Sequence, residues 1–325
     1  MTTSNILSQL GSAGVSTGFK NRIINGAMVI DQRNNGASVT PTAKTYIVDR
    51  FFLNPSQASK FSAQQNAGSV TPPVGYTNYL GATSLSAYSV LSTDYFIFEQ
   101  IIEGFNSADL QWGTANAKTV TLSFWVRSSL TGTFGGALCN GAFDRSYPFS
   151  YTISSANTWT QISVTISGDT SGTWIGATNG IGIQVIWGLG VGSNYSGTAG
   201  SWQAAGLLSV TGATSVVGTN GATFYITGVQ LEVGTTATNF DYRPYGTELA
   251  LCQRYYQYAA GTQYSGYGAT YNYVNWYFKV TMRAAPTLGG AIAGTVSNTG
   301  TDFTQSWSAG SSYASFSNAT ASAEL

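Results

Sequence analysis

No histidine occurs anywhere in this chain. That removes His-dependent catalytic triads, the usual histidine general base and histidine-ligated metal. The chemistry still open is a pair of carboxylates of the kind that cleaves glycosidic bonds. Glu99, Glu103, Asp109, Asp144 and Asp169 are the candidates. Glu99 and Glu103 share one face of a predicted strand but lie about 13 Å apart at a rise of roughly 3.3 Å per residue, too far for a retaining or an inverting pair. Solvated or ion-paired structural carboxylates are therefore expected, and no catalytic residue is assigned. Asp144 and Asp169 are isolated in turns, where a carboxylate usually serves turn chemistry rather than calcium. Cys139 and Cys252 stand far apart and outside metal-ligand spacing, which favours two free thiols over a single bridge. No metal and no cofactor are expected.

Binding is better represented than catalysis. Sugars present apolar C–H faces and a hydroxyl rim, which flat aromatic rings and short polar side chains match. Trp174, Trp187, Tyr195 and Trp202 lie in or beside Gly-rich loops, and Tyr264, Tyr267, Tyr271, Tyr273 and Trp276 crowd a later stretch. Most such rings serve cores or subunit interfaces. Those singled out as glycan ligands are the distal cluster Tyr264, Tyr267, Tyr271, Tyr273 and Trp276, together with Trp174 and Trp202.

The elements that must position these residues are strands. From Thr119 to Arg127, Val120, Leu122, Phe124 and Val126 fall on one face and Thr121, Ser123, Trp125 and Arg127 on the other, the period-two pattern of a half-buried antiparallel strand. Tyr46 to Leu53 reads as one short strand, with Asp49 and Arg50 in a partly buried ion pair with other charges. Residues 54–90 read as irregular. Asp94 to Gly104 is apolar on both faces and reads as a central strand. Thr131 to Phe143 is Gly-rich and reads as interrupted strand. Alternation returns at Tyr147–Ile153, Ile162–Ile166 and Ile181–Trp187. In ATFYITGVQLEV the apolar parity slips at Gly228, which predicts a β-bulge. Pro244 ends pairing, and Glu248 to Tyr256 reads as a short helix. Val274, Trp276, Phe278, Val280 and Met282 then predict a strand that Pro286 stops. The fold class is all-β: an N-terminal extended arm (1–20), an antiparallel jelly-roll β-sandwich (21–247) and a small C-terminal β-domain (248–325).

Composition narrows the partners. Lys plus Arg and Asp plus Glu number 13 each and only 8% of residues are charged, so no basic cluster is available to neutralise nucleic-acid phosphates. A chain without net charge also associates readily. No apolar run of about 20 residues is present to span a bilayer, and residues 1–20 lack the pattern of a signal peptide.

The order of several separated motifs is informative. RIINGAMVIDQR, YIVDRFF, FEQIIEG and VTLSFWVRSS are followed by SANTWTQISVTISGDTSGTW, ITGVQLEVG, FDYRPYGTELALCQRYYQ and MRAAPT. Together, over about Arg22 to Thr287, they resemble the carbohydrate-binding-module-like jelly rolls of bacteriophage tail fibres and related virion appendages. The resemblance implies a non-enzymatic external virion protein, a homotrimer. It would dock on other virion proteins through the N-terminal arm and attach the particle to a host-surface polysaccharide. A capsid decoration or head fibre without a receptor role is the alternative, and a glycan-degrading tailspike is a third class.

Overall fold

Alternation works here as the pattern requires. Val120, Leu122, Phe124 and Val126 are buried in the main core, and Trp125 and Arg127 on the opposite face are only half-buried. The computed structural model describes residues 19–264, 271–309 and 313–325. The predicted docking arm lies outside the described residues except for its last two positions.

The strands run in order as β1 (Thr45–Val48), β2 (Phe51–Pro55), β3 (Phe61–Gln65), β4 (Leu80–Ser84), β5 (Tyr95–Glu103), β6 (Val120–Ser128) and β7 (Gly132–Cys139). They continue as β8 (Ser146–Ile153), β9 (Thr160–Ile166), β10 (Ile181–Val191), the two-residue β11 (Ser196–Gly197) and β12 (Ser209–Val210), and β13 (Thr223–Val233). A six-stranded sheet, β1-β2-β5-β10-β7-β8, faces a five-stranded sheet, β3-β4-β13-β6-β9, across one hydrophobic core. Every pair within these two sheets is antiparallel. The chain is all-β, a jelly-roll sandwich followed by further strands.

Trp187 is fully buried at the centre of this core, with Phe124 5.7 Å away edge-to-face and Phe51 at 6.2 Å. The predicted slip at Gly228 is present: the β13–β6 register shifts between Thr227 and Gln230, and Gly228 has φ +62°.

Three expectations are corrected. Tyr46 to Leu53 is a hairpin of β1 and β2 rather than one strand; Arg50 takes φ +71° at the turn, where its buried ion pair with Glu324 holds it. The Gly-rich stretch from Thr131 forms the uninterrupted β7, paired on both sides. Glycine is required there by contact: a Cβ on Gly136 would sit 2.2 Å from the Ile186 carbonyl oxygen. Residues 54–90 contain β3, whose polar Ser62, Gln64 and Gln65 mask the pattern, and β4, whose Gly81, Ala82, Thr83 and Ser84 are small.

Beyond Pro244, α1 (Tyr245–Gln253) leads to β14 (Tyr256–Tyr264), β15 (Tyr271–Tyr277), β16 (Thr287–Ala293), β17 (Thr295–Thr299), β18 (Phe303–Ala309) and β19 (Ser315–Ser322). These pair as two three-stranded sheets, β14-β19-β16 and β15-β18-β17. Their core is small: Val274, Trp276, Met282 and Phe316 among alanines such as Ala314, Ala319 and Ala321. The strand predicted to run to Pro286 ends at Tyr277, and Met282 reaches the core from a loop.

Buried polar contacts join this part to the sandwich. Glu324, just past β19, accepts from Arg33 at 2.8 Å and from Arg50, whose guanidinium lies 3.6 Å from the Tyr255 ring centroid. Glu103 at the end of β5 accepts from Arg254 at 2.8 Å and from the Tyr255 hydroxyl at 2.8 Å. Removing one partner of a buried pair leaves the other charged and desolvated, at a cost of about 3–5 kcal/mol. Glu324→Ala is therefore expected to lower stability by about that amount in urea unfolding. Phe124→Ala is expected to cost about 3–5 kcal/mol by emptying the main core. An unchanged urea midpoint in either variant would contradict the assignment.

Candidate functional site

Three loops bring three tryptophans together at one end of the sandwich. Trp112 follows a short 3-10 turn (Ala108–Leu110), Trp174 lies between β9 and β10, and Trp202 lies in the excursion between β10 and β13. Their rings meet edge-to-face, with centroids 4.8 Å apart for Trp112–Trp174 and 5.3 Å for Trp112–Trp202 and Trp174–Trp202. Each indole N–H already has a protein acceptor. Trp112 donates to the Lys118 carbonyl at 2.8 Å and Trp202 to the Ser167 carbonyl at 2.7 Å. Trp174 donates to the Ser171 carbonyl at 3.2 Å and to Asp169 Oδ2 at 3.3 Å.

Asp169 fixes this cluster. Its carboxylate receives both Nε and Nη2 of Arg145, at 2.7 and 2.6 Å, a two-pronged charge-assisted contact that also raises the Arg145 pKa. The Asp169 carbonyl accepts the Gly113 N–H at 2.7 Å, tying the Trp112 loop to the Trp174 loop.

Trp174 and Ile175 line a cleft of about 480 Å³ together with the buried Leu110 and Trp112, the latter 6% exposed and packed into the main core. Gln111, Thr114 and Asn116 add polar groups. An apolar wall with convergent amides and hydroxyls suits a ligand with both C–H faces and hydroxyls. A shallower groove on the outer face of the five-stranded sheet is lined by Trp125, Gln161, Ser163, Tyr76 and Tyr242.

The residues singled out in sequence are distributed unevenly. Trp174 and Trp202 come together, Trp174 in the cleft wall and Trp202 behind it. Trp276 is a correction: it is only 4% exposed and packs against Phe278 and Phe316 in the C-terminal core, because its strand parity turns it inward. Tyr273, on the opposite parity, is 54% exposed. Tyr264 and Tyr271 stand on β14 and β15, and Tyr267 lies outside the described residues. Trp187 is core. Trp112 was missed, although it too lies beside glycine in a polar loop, and a Gly-rich loop setting is the signal that marked Trp174 and Trp202.

Most of the carboxylates considered for catalysis have partners. Glu103 holds Arg254, Asp109 pairs with Arg22 at 2.6 Å, Asp144 accepts from Asn140 at 2.5 Å, and Asp169 holds Arg145. Glu99 differs. It is 2% exposed, and burial pushes its carboxyl up to about 7, opposed by the field of Lys44. Both cysteines are buried free thiols that burial holds protonated. Among the described residues no group of three or more His, Cys, Asp or Glu side chains is placed to hold a metal.

No family model matches the sequence, and no curated protein matches it. Similarity is found among solved structures. A CBM4 carbohydrate-binding module is 15% identical, with 65% of this chain and 98% of that one covered at a TM-score of 0.32. A family 11 carbohydrate-binding module from Clostridium thermocellum, in complex with a β-1,3-1,4-mixed-linked tetrasaccharide, is 10% identical over 62% of this chain and 98% of that one, at 0.31. An arabinose-bound MgGH51 α-L-arabinofuranosidase is 13% identical over 68% of this chain and 31% of that one, at 0.34. At these scores the likenesses decide nothing about the site, whose reading rests on its own residues.

Glu99 gives a pH-dependent test. Its carboxyl rises from an ordinary 4.5 to about 7 on folding, so its contribution to stability is complete below about pH 4.5 and is lost as pH rises through about 7. Between pH 5 and 8 the native chain is expected to lose about 2–3 kcal/mol that Glu99→Gln retains. Parallel urea midpoints for the two proteins across that range would refute it.

Proposed function

We propose that this chain is a non-catalytic glycan-binding protein of an external phage appendage. It assembles as a homotrimer, docks on other virion proteins through residues 1–20, and presents the jelly roll (21–247) and C-terminal β-domain (248–325) to host-surface polysaccharide. The observation that carries the binding part is the Trp112–Trp174 cleft. Its indoles are held by neighbouring rings and by backbone acceptors before any ligand arrives, so little ordering is left to oppose binding. The virion setting and the trimer are supported by the ordered motifs from Arg22 to Thr287 and by the near absence of net charge.

The carboxylates favour holding over cutting. Glycoside cleavage needs two carboxyl groups across the bond. Glu103, Asp109, Asp144 and Asp169 are engaged as described, and the charge that acts on Glu99 is Lys44, not a second acid.

The test is retention of labelled protein on host polysaccharide, with competition against whole particles for host cells. Trp174→Ala is expected to weaken retention at least tenfold, about 1.4 kcal/mol, with the urea midpoint of the native chain largely kept. Trp125→Ala and the pair Tyr267→Ala/Tyr271→Ala are the comparison arms. A loss confined to either of those would move the site to the sheet groove or the distal cluster. Light scattering should give three times the chain mass of 34.2 kDa. Retention on purified capsids without any glycan retention would support the decoration reading, and release of reducing sugar would support a degrading spike.

A further inference from the structure

A carboxylate withdrawn from water is tolerated when a cation or several donors replace its hydration. The buried carboxylates of this chain follow that rule with one exception. Asp49, Glu103, Asp169 and Glu248 each hold an arginine. Asp94 accepts from Ser56, Tyr88 and the Leu91 N–H, and Glu232 from Gln230 and Thr238. Glu99 has neither an ion pair nor a hydrogen bond among the described residues, and its Oε1 is buried without a partner.

Glu99 stands in the middle of β5 on the outer face of the six-stranded sheet, opposite Phe52 of β2 and Ile186 of β10. It does not face packed hydrocarbon alone. It lines a cavity of about 470 Å³, a size suited to one sugar ring or a side chain. Tyr95, Tyr195 and Phe143 add aromatic rings to the wall, and Asn54 and Asn194 add amides. The Tyr95 and Tyr195 rings lie edge-to-face, 5.7 Å apart. Lys44 is the cation whose field reaches Glu99. Its ammonium is engaged elsewhere, donating to the Leu325 carbonyl at 2.7 Å and lying 4.2 Å from the Phe52 ring centroid. The Cys139 thiol on β7 is buried nearby, and burial together with the Glu99 charge keeps it protonated.

We propose that this cavity is a second binding site, for a ligand bearing a primary ammonium group. A hydroxyl could satisfy Oε1 but would leave the carboxylate charge uncompensated. An ammonium supplies the N–H donor, the opposite charge and attraction to the electron-rich ring faces together. An amino sugar and a lysine side chain both present this group. The site stands on observations separate from the Trp112–Trp174 cleft.

Calorimetry on the full chain at pH 7 tests it, using glucosamine, glucose, N-acetylglucosamine and Nα-acetyl-lysine amide as probes. One or both ammonium probes should bind at least tenfold more tightly than the two neutral sugars, and which one does so identifies the source. Glu99→Gln, which keeps shape and removes the charge, should reduce that binding at least tenfold. Tyr195→Ala should weaken it severalfold, and Trp174→Ala should leave it unchanged. Lowering the pH to 5 should weaken it as Glu99 takes up its proton. The proposal is overturned if neither ammonium probe binds, if glucose binds as well as glucosamine, or if Glu99→Gln binds undiminished.

Discussion

A carboxylate taken out of water must find its compensation inside the protein, and this chain is arranged around that requirement. With 8% of its residues charged, it has few charges to place on its surface. Several of those it has are buried or half-buried and tie distant segments together. Such pairs add little net stability over a well-packed apolar contact. What they add is geometry, because an unpaired buried charge penalises every arrangement but the one that pairs it.

The same requirement appears in the tryptophan loops and at the attachment of the C-terminal sheets. At the loop end, Asp169 neutralises Arg145, accepts from Trp174 and, through its carbonyl, holds the Trp112 loop. The Trp112 and Trp202 indoles are held by the Lys118 and Ser167 carbonyls. Glu324 and Glu103 lock the small C-terminal sheets onto the sandwich through Arg33, Arg50 and Arg254. A core rich in alanine buries little area per residue, so these attachments matter to that half more than to the other. Glu99, on the outer face of the six-stranded sheet, lines a cavity and has neither an ion pair nor a hydrogen bond among the described residues.

Much of the architecture was legible in order along the chain. Period-two alternation marked β6, β8, β9 and β10, and the parity slip marked the bulge at Gly228. These signals survive because one face of each strand meets a continuous core. The failures share a cause as well. β7 is Gly-rich because neighbouring backbone and rings occupy the places its side chains would fill, so the cue that signals a strand is missing where packing is tightest. β3 and β4 carry small polar residues that only their pairing partners make into sheet. The hairpin at Asp49 and Arg50 was hidden because its turn residues are chosen for ion pairing, not for turn preference.

By itself the sequence determined the all-β class, the inward face of the sandwich strands and the absence of histidine chemistry, because these depend on local periodicity and composition. Tertiary structure decided which aromatics are surface and which are core. Trp276 and Tyr273 are three residues apart on one strand, and parity against a distant sheet buries the first and exposes the second. It also decided which buried carboxylate has no hydrogen-bond partner among the described residues. Glu99 and Glu103 look alike on β5, but Arg254 and Tyr255 reach one from more than 150 positions away, while among the described residues the other has no hydrogen bond and only the field of Lys44 acts on it. Such pairings join residues far apart in the chain, and no local pattern encodes them.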